Sequence, residues 1–599
     1  VASSGSEPGA DDGHRTFTEV FAHRARVHPD RDALLVLRHG PDGSPVRPER
    51  HTYGELAAAA RALVPVVRAH TRPGGRVLVA HSDRMLFAVS FLACLFAGAV
   101  PVPVAPPGGS RHHGARLSGM VKDADADCAL TSRASAPALS QVLARAGHQG
   151  VACVPTDAAL AAADPGPRAT GALPATVADP DGTAVLQYTS GSTRAPRGVA
   201  VSHRVLHAHL GALSAALGTR EGERTGGWLP FHHDMGLVGQ LLHPLWQGGT
   251  SVLLSPESFA RHPVRWLEAV SDHGIAVSAA PDSAYARCAL EVDDARRDRL
   301  DLSRWRIAVS GGEPVRAATY RDFTARFAPA GLRPDAFTPC YGLAEATLLV
   351  SGAASPGPPR LRRFADDGRP GGGRLLVSCG PPAPGTEVRI VDPAGCVPLP
   401  EGRTGEIWVR GPGTADGYWR RQAANDELFR ARTADGDGGF LRTGDLGALV
   451  DGELYITGRL KDLIVISGRK LHPEDLEDTV RQVSTAFGPG TAFGVPGERE
   501  HLVVVQELRP RTRYGTDLAA LTEAVQDCLG AEHGVHADAV LIVRPGTVRR
   551  TTSGKVERAT MRGLFLGGAL VPLHARLAPE VRRLVAEGDA ARGTARTPA

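Results

Sequence analysis

Between two apolar runs, Thr183 to Tyr188 and Gly198 to Val201, residues 187–203 read QYTSGSTRAPRGVAVSH. Glycines leave backbone N–H groups uncovered, and the hydroxyls of Thr189, Ser190, Ser192 and Thr193 add donors, so this loop suits a phosphate. The P-loop pattern needs Gly, four residues and then Gly-Lys-[Ser/Thr]. Here six residues separate Gly191 from Gly198, and Val199 follows. A nucleotide held by this loop therefore belongs to another architecture, and an ordinary surface loop of the same composition is the alternative. Lysine usage gives a second pointer. Of the 68 basic residues only Lys122, Lys461, Lys470 and Lys555 are not arginine. Lys555 sits in TTSGKVER, where a compact, mobile ammonium can reach a developing charge that a rigid guanidinium approaches differently. In FHHDMG, the run His232, His233 and Asp234 lacks the i,i+4 spacing of a helical metal site and has no obvious further ligand nearby, which argues against zinc.

These residues need a large scaffold. A chain of 599 residues exceeds one ordinary core, so a large body with at least one smaller domain is expected. Net charge is +4, with no long basic run interleaved with aromatics, and nucleic acid is not indicated. The eight cysteines are scattered without CxxC pairs, as expected of free thiols in a reducing, cytoplasmic setting. Met85 to Ala105 carries no charge, but Gly98, Pro101 and Pro103 end any helix after roughly fourteen residues. At about 1.5 Å each these reach ~21 Å of a ~30 Å hydrocarbon core. A buried helix followed by a buried strand is expected there, and no transmembrane segment. The first residues show no apolar leader, and both ends of the chain are expected to be disordered.

Apolar runs such as RVLVA, TAVLQY, TSVLLS, IAVSAA and RWRIAVSGG alternate with helix-like segments such as Pro263 to Asp272. That order predicts α/β architecture: a large N-terminal domain of layered parallel-type sheets and helices over residues 1–458. From about residue 371, LLVSCG, EVRIVD, GEIWVRG and GELYITG are punctuated by Gly, Pro and Asp, and predict a small β-barrel-like subdomain over 371–458. Residues 459–580 mix short strands with helices such as Asp475 to Ser484 and Leu518 to Leu529, forming a small α+β C-terminal domain. Residues 581–599 are expected to be a disordered tail.

The strings YTSGSTRAPRGV, YGLAEAT, LRTGDLG, GRLKDLIVISGRKLHPEDLE and TTSGKVER occur in the order and approximate spacing of the adenylate-forming superfamily. That superfamily includes acyl-CoA synthetases, adenylation domains and luciferases. The resemblance covers nearly the whole chain. WLPFHHDMGLVGQLLHPLWQGGTSVLLSP, WRIAVSGGEPVRAAT and PCYGLAEATLLVSG most resemble fatty acyl-AMP ligases. The resemblance implies an enzyme that activates a fatty or related carboxylic acid with ATP and Mg2+. It then passes the acyl group to the phosphopantetheine arm of an acyl carrier protein, in lipid or polyketide/peptide biosynthesis.

By the same resemblance, Thr189, Ser190, Gly191, Ser192 and Thr193 cradle the leaving pyrophosphate, and Glu345 offers a hard oxygen to Mg2+. Tyr341 and Gly342 with the turn Gly311, Gly312, Glu313 and Pro314 contact adenine, and Asp445 with Arg459 serves the ribose. His233 lies beside the acyl and nucleotide pocket. Lys461 is the hinge to a small, mobile C-terminal domain that rotates between two half-reactions. Lys555 acts in the first of these, and Gly468 lines the thioester-forming tunnel in the second.

Three departures stand out. The insertion associated with excluding coenzyme A, here Ser351 to Gly373, is short and rich in Gly and Pro. In SAAPDSAYARC, Asp282 and Ser283 stand where the resembling segment carries Asn and a bulky apolar residue. Arg197 stands where many relatives have Lys. Two alternatives stay open: an acyl-CoA synthetase, and an inactive nucleotide-binding scaffold on the same fold.

Overall fold

The computed structural model describes residues 15–40, 44, 46–106, 111–162, 178–188, 196–354, 357–365, 373–466, 469–497, 499–510, 516–551 and 556–594. The large body is layered α/β. One seven-stranded sheet runs in the order 337–339, 307–310, 277–280, 224–227, 250–253, 32–36 and 49–52; all neighbours are parallel except the last pair. A second sheet of four parallel strands orders 100–103, 76–79, 126–131 and 152–155. Pro101 and Pro103 lie on its edge strand, where a missing N–H leaves the ladder intact.

The uncharged run folds as helix Arg84–Ala97 followed by strand Val100–Pro103. Asp83 caps the helix by accepting the Leu86 N–H at 2.9 Å, and Gly98 ends it at φ 75°, a left-handed conformation that glycine adopts without a Cβ penalty. Phe87, Phe91 and Leu92 are buried on it, each such side chain contributing ~1.5–3 kcal/mol. Among the described residues no helix is long and apolar enough to cross a membrane.

Arg84 opens this helix and is itself buried. Its guanidinium donates to the carbonyls of Trp228 (2.8 Å), Leu229 (2.9 Å) and Leu254 (2.7 Å) and lies 4.5 Å from the Phe231 ring centroid. It thereby fixes the strand ends that lead into FHHDMG. Burial without a carboxylate partner lowers its pKa to about 10.

Strands Thr183–Tyr188 and Gly198–Ser202 pair antiparallel, with Gly417–Tyr418 added on the outer edge. The hydroxyl-rich loop thus joins two strands, whereas a P-loop leads into a helix. The β unit after residue 371 is an antiparallel five-stranded sheet of 387–391, 405–410, 438–450, 431–432 and 453–459. Within the Gly- and Pro-rich segment Ser351 to Gly373, strand Leu361–Ala365 pairs antiparallel with Gly373–Val377, and Phe364 meets Tyr455 at 5.2 Å between centroids.

The C-terminal unit has a four-stranded sheet, 487–495, 501–508, 539–543 and 574–577, covered by helices Pro473–Gln482, Leu518–His533 and Arg558–Leu566. A correction concerns the tail. Helix Pro579–Thr594 occupies most of 581–599, and Val581 on it is fully buried in the small core with Phe565 and Val543. Leu584 and Val585 pack against the same cluster, so the helix has an apolar face that composition alone does not reveal. The expected disorder of residues 1–14 and 595–599 lies outside the described residues.

Candidate active site

A cavity of about 1950 Å3 opens at the carboxyl ends of the large sheet's strands and is roofed by the small domain. Ligands of α/β sheets bind at that edge. The expected phosphate loop, Thr189, Ser190, Gly191, Ser192 and Thr193, lies outside the described residues; its shoulders, Tyr188 and Arg197, line this cavity. Tyr188 is anchored by its hydroxyl donating to Asp123 at 2.9 Å. The Arg197 guanidinium lies 5.3 Å from the Tyr418 ring centroid, and the Tyr418 hydroxyl donates to Glu345 at 2.7 Å.

Glu345 sits in a single turn, Ala344–Ala346, held because its carbonyl accepts the Ala415 N–H at 3.0 Å and Thr347 Oγ1 donates to the Gly413 carbonyl at 2.8 Å. Burial raises the Glu345 pKa, the Tyr418 hydrogen bond opposes that, and the nearby Asp234 charge adds to the rise. Among the described residues no three His, Cys, Asp or Glu side chains converge as a metal cage. Glu345 and the nearby Asp234 both line the cavity.

On the opposite wall, strand Ile307–Ser310 ends in Gly311, Gly312, Glu313 and Pro314, all lining the cavity. The Glu313 carboxylate accepts the Ser283 N–H, tying this turn to the neighbouring helix. Tyr341 and Gly342 follow on a short strand, where a Cβ on Gly342 would overlap the Leu348 carbonyl oxygen, so only glycine fits. The buried Tyr341 hydroxyl donates to Asp445 Oδ2 at 2.8 Å, and Arg459 Nε lies 2.8 Å from Asp445 Oδ1. Asp445 and Arg459 are cross-strand partners, and the Asp445 charge raises the Arg459 pKa. Both Asp445 oxygens retain acceptor capacity toward the cavity.

His233 lines the cavity at the start of the short helix Asp234–Leu237, its ring 4.6 Å from that of His232, whose carbonyl accepts the Gln187 side chain at 2.9 Å. Lys461 occupies the turn Leu460–Asp462 between the five-stranded sheet and the small domain and also lines the cavity. Lys555 and Gly468 lie outside the described residues. The residues that flank Lys555 are informative: Arg550 and Val556 form an antiparallel bridge, and both Thr551 and Val556 line the cavity.

Sequence reading missed the side chains that hold these parts. Arg558, three residues beyond Lys555, meets Glu474 and Glu477 at 2.9 Å each and Asp462 of the Lys461 turn at 3.5 Å. Burial raises the pKa of Glu477, while the adjacent guanidinium holds Glu474 low. Across the domains, Arg316 meets Asp478 at 3.1 Å and Arg374 meets Asp475 at 2.6 Å. For Arg84 a signal existed, since it is the last charge before an uncharged stretch of twenty-six residues, Met85 to Ser110. Tyr418 gave none.

A family model described as "AMP-binding enzyme" matches residues 21–419. The medium-chain-fatty-acid–[acyl-carrier-protein] ligase TtuA of Teredinibacter turnerae is 33% identical, the match covering 96% of this chain and 97% of that protein. The long-chain-fatty-acid–AMP ligase FadD26 of Mycobacterium marinum is 35% identical, with 91% and 96% covered. The crystal structure of a fatty acyl-adenylate ligase from L. pneumophila, in complex with acyl adenylate and pyrophosphate, superposes with a TM-score of 0.70 at 30% identity, covering 94% of this chain and 98% of that one.

Proposed function

The chain belongs to the AMP-binding enzymes, and on that premise we propose that it joins a fatty or related carboxylic acid to AMP and loads the acyl group on an acyl carrier protein. One observation carries the reading. A single cavity gathers the shoulders of the hydroxyl-rich loop, the Gly311–Pro314 turn, the Tyr341–Asp445–Arg459 chain, Glu345, and Thr551 and Val556 on either side of Lys555.

In the first half-reaction a carboxylate oxygen of the acid attacks the α-phosphorus of ATP, and the bond to pyrophosphate breaks. In the second, the carrier's phosphopantetheine thiol attacks the acyl carbonyl and AMP leaves. Residues 189–193 hold the departing pyrophosphate, with Arg197 adding charge at the loop's end. Tyr341 and the Gly311–Pro314 turn receive adenine, while Asp445, fixed from both sides, accepts from ribose hydroxyls. His233 orients the acid against the nucleotide. Lys555 brings an ammonium to the charge that develops at phosphorus, a preorganised stabilisation in a largely dry site.

The Glu345 carboxylate would hold Mg2+, a hard cation that takes oxygen donors and few protein ligands. When bound, that ion supplies neutralisation of phosphate charge. Lys461 serves as the hinge on which the small domain rotates, and Gly468 lets the thiol arm pass close to the backbone. A cytoplasmic location follows from dependence on ATP and a free carrier thiol.

The test is pyrophosphate release from ATP with a panel of acids, with mass spectrometry of the adenylate. A phosphopantetheinylated carrier or coenzyme A is then added. Acyl-adenylate consumed by the carrier supports the reading. Efficient acyl-CoA formation moves the protein to the synthetase branch, and no adenylate with any acid leaves only the scaffold.

A further inference from the structure

Thr225 lies on strand Arg224–Gly227, in register with Ser251 on one neighbour and Val277 on the other. These three side chains share one face of the sheet. Ser251 donates to the Gln240 carbonyl of the π-helical turn Val238–Leu242, and Val277 packs in a cluster with Leu213 and Leu217 of helix His203–Leu217. Thr225 therefore faces the helices on that side, where the wall of the cavity is otherwise made of groups such as Leu213, Leu217 and Leu349.

Thr225 is 2% exposed, lines the cavity, and its hydroxyl has no hydrogen-bond partner. Leaving such a group unsatisfied costs ~1–3 kcal/mol, and native structures rarely carry one without a reason. A second polar group lines the same cavity. His243 is 1% exposed and its Nε2 lies 3.3 Å from the Thr219 hydroxyl, which accepts the Gln247 side-chain N–H at 2.7 Å. Gln247 Oε1 in turn is buried without a partner. Burial holds the imidazole neutral, so it presents one donor and one acceptor nitrogen.

The sheet register gives the depth. Thr225 pairs with Val277, which pairs with Ile307, four residues before Gly311. At ~3.3 Å per residue, Thr225 stands about 13 Å behind the nucleotide turn, along the chain of an acid whose carboxyl meets the nucleotide at the sheet's edge.

We propose that the acid activated by this enzyme carries a hydrogen-bonding substituent, a hydroxyl or a carbonyl, well along its chain, and that the Thr225 hydroxyl and His243 imidazole receive it. This rests on the acid-activating reading above. An unsubstituted chain would occupy the same tunnel but leave the Thr225 hydroxyl unpaired, and a site built to hydrogen-bond a substituent discriminates against the analogue that lacks it.

The test is pyrophosphate release with decanoate and a set of decanoates hydroxylated at successive positions, with kcat/KM measured for each. One hydroxylated isomer is expected to exceed decanoate by about ten-fold or more, one good hydrogen bond in an apolar wall. Thr225→Val should bring that ratio close to unity, and Thr225→Ser should restore it. Decanoate outperforming every hydroxylated isomer in the wild type, or a ratio that Thr225→Val does not move, overturns the proposal. Absence of pyrophosphate release with all acids overturns it together with the acid-activating reading, an outcome distinct from a flat substrate preference.

Discussion

Asp282→Asn should make the protein more stable at neutral pH, and by an amount that depends on pH. Asp282 is fully buried at the start of helix Asp282–Glu291. Its carboxylate accepts the Arg316 N–H at 3.1 Å and the Thr319 hydroxyl at 2.8 Å, with Arg316 Nη1 at 3.4 Å. Burial nevertheless pushes its pKa from 3.8 up to about 6, with the Arg316 charge opposing the shift and Glu313 adding to it. The folded protein therefore binds this proton more tightly than the unfolded chain does. Its contribution is fully present below the unfolded value and is lost as pH rises through the folded one. A rise of about two pH units corresponds to ~3 kcal/mol.

Asparagine keeps an acceptor for the Arg316 N–H, and the Thr319 hydroxyl can turn to accept from the amide. Calorimetric unfolding of both proteins in parallel, from about pH 4 to about pH 8, reads the difference, in which all other titrating groups cancel. The variant should gain on the wild type through the window between 3.8 and about 6 and then level off, by up to ~3 kcal/mol, a figure that already includes the attraction to Arg316. A difference that is flat with pH, or a variant that gains only in acid, would refute the reasoning.

Lys555→Ala should slow adenylation by roughly 10² to 10³ while transfer from supplied acyl-adenylate persists; adenylation at the wild-type rate in a pyrophosphate assay would remove Lys555 from the chemistry. Lys461→Pro fixes φ in the turn between the domains and should impair the exchange between half-reactions, so single-turnover rates for the two, unchanged, would argue against a hinge there. Arg84→Met strips the donor from three buried carbonyls, at roughly 1–3 kcal/mol for each group left unsatisfied. The thermal midpoint should fall, and an unchanged midpoint would mean that those carbonyls find other donors.

Much of this protein is determined locally and so was legible in its sequence. Thr183–Tyr188 is a strand at the bounds its apolar run suggested, because β-branched and aromatic residues bounded by Gly and Ser leave little choice. The buried helix before Gly98 follows from apolar content and a glycine stop, whereas the helix read as Asp475 to Ser484 runs from Pro473 to Gln482, two residues earlier at each end. The family motifs were legible for the same reason, being contiguous strings.

What the tertiary structure alone decided are meetings between residues far apart in the chain. Tyr418 reaches Glu345 across 73 positions, Asp445 reaches Tyr341 across 104, and Arg316 reaches Asp478 across 162. No periodicity or propensity encodes such pairs, since each depends on sheet order and on where the small domain docks. The pKa of Asp282 belongs to the same class: desolvation is a property of everything packed around a carboxylate, and its own sequence neighbours carry only part of it. Thr225 shows the limit most simply. Its sequence announces a β-branched strand residue, and only the folded sheet leaves its hydroxyl without a partner on the wall of a cavity.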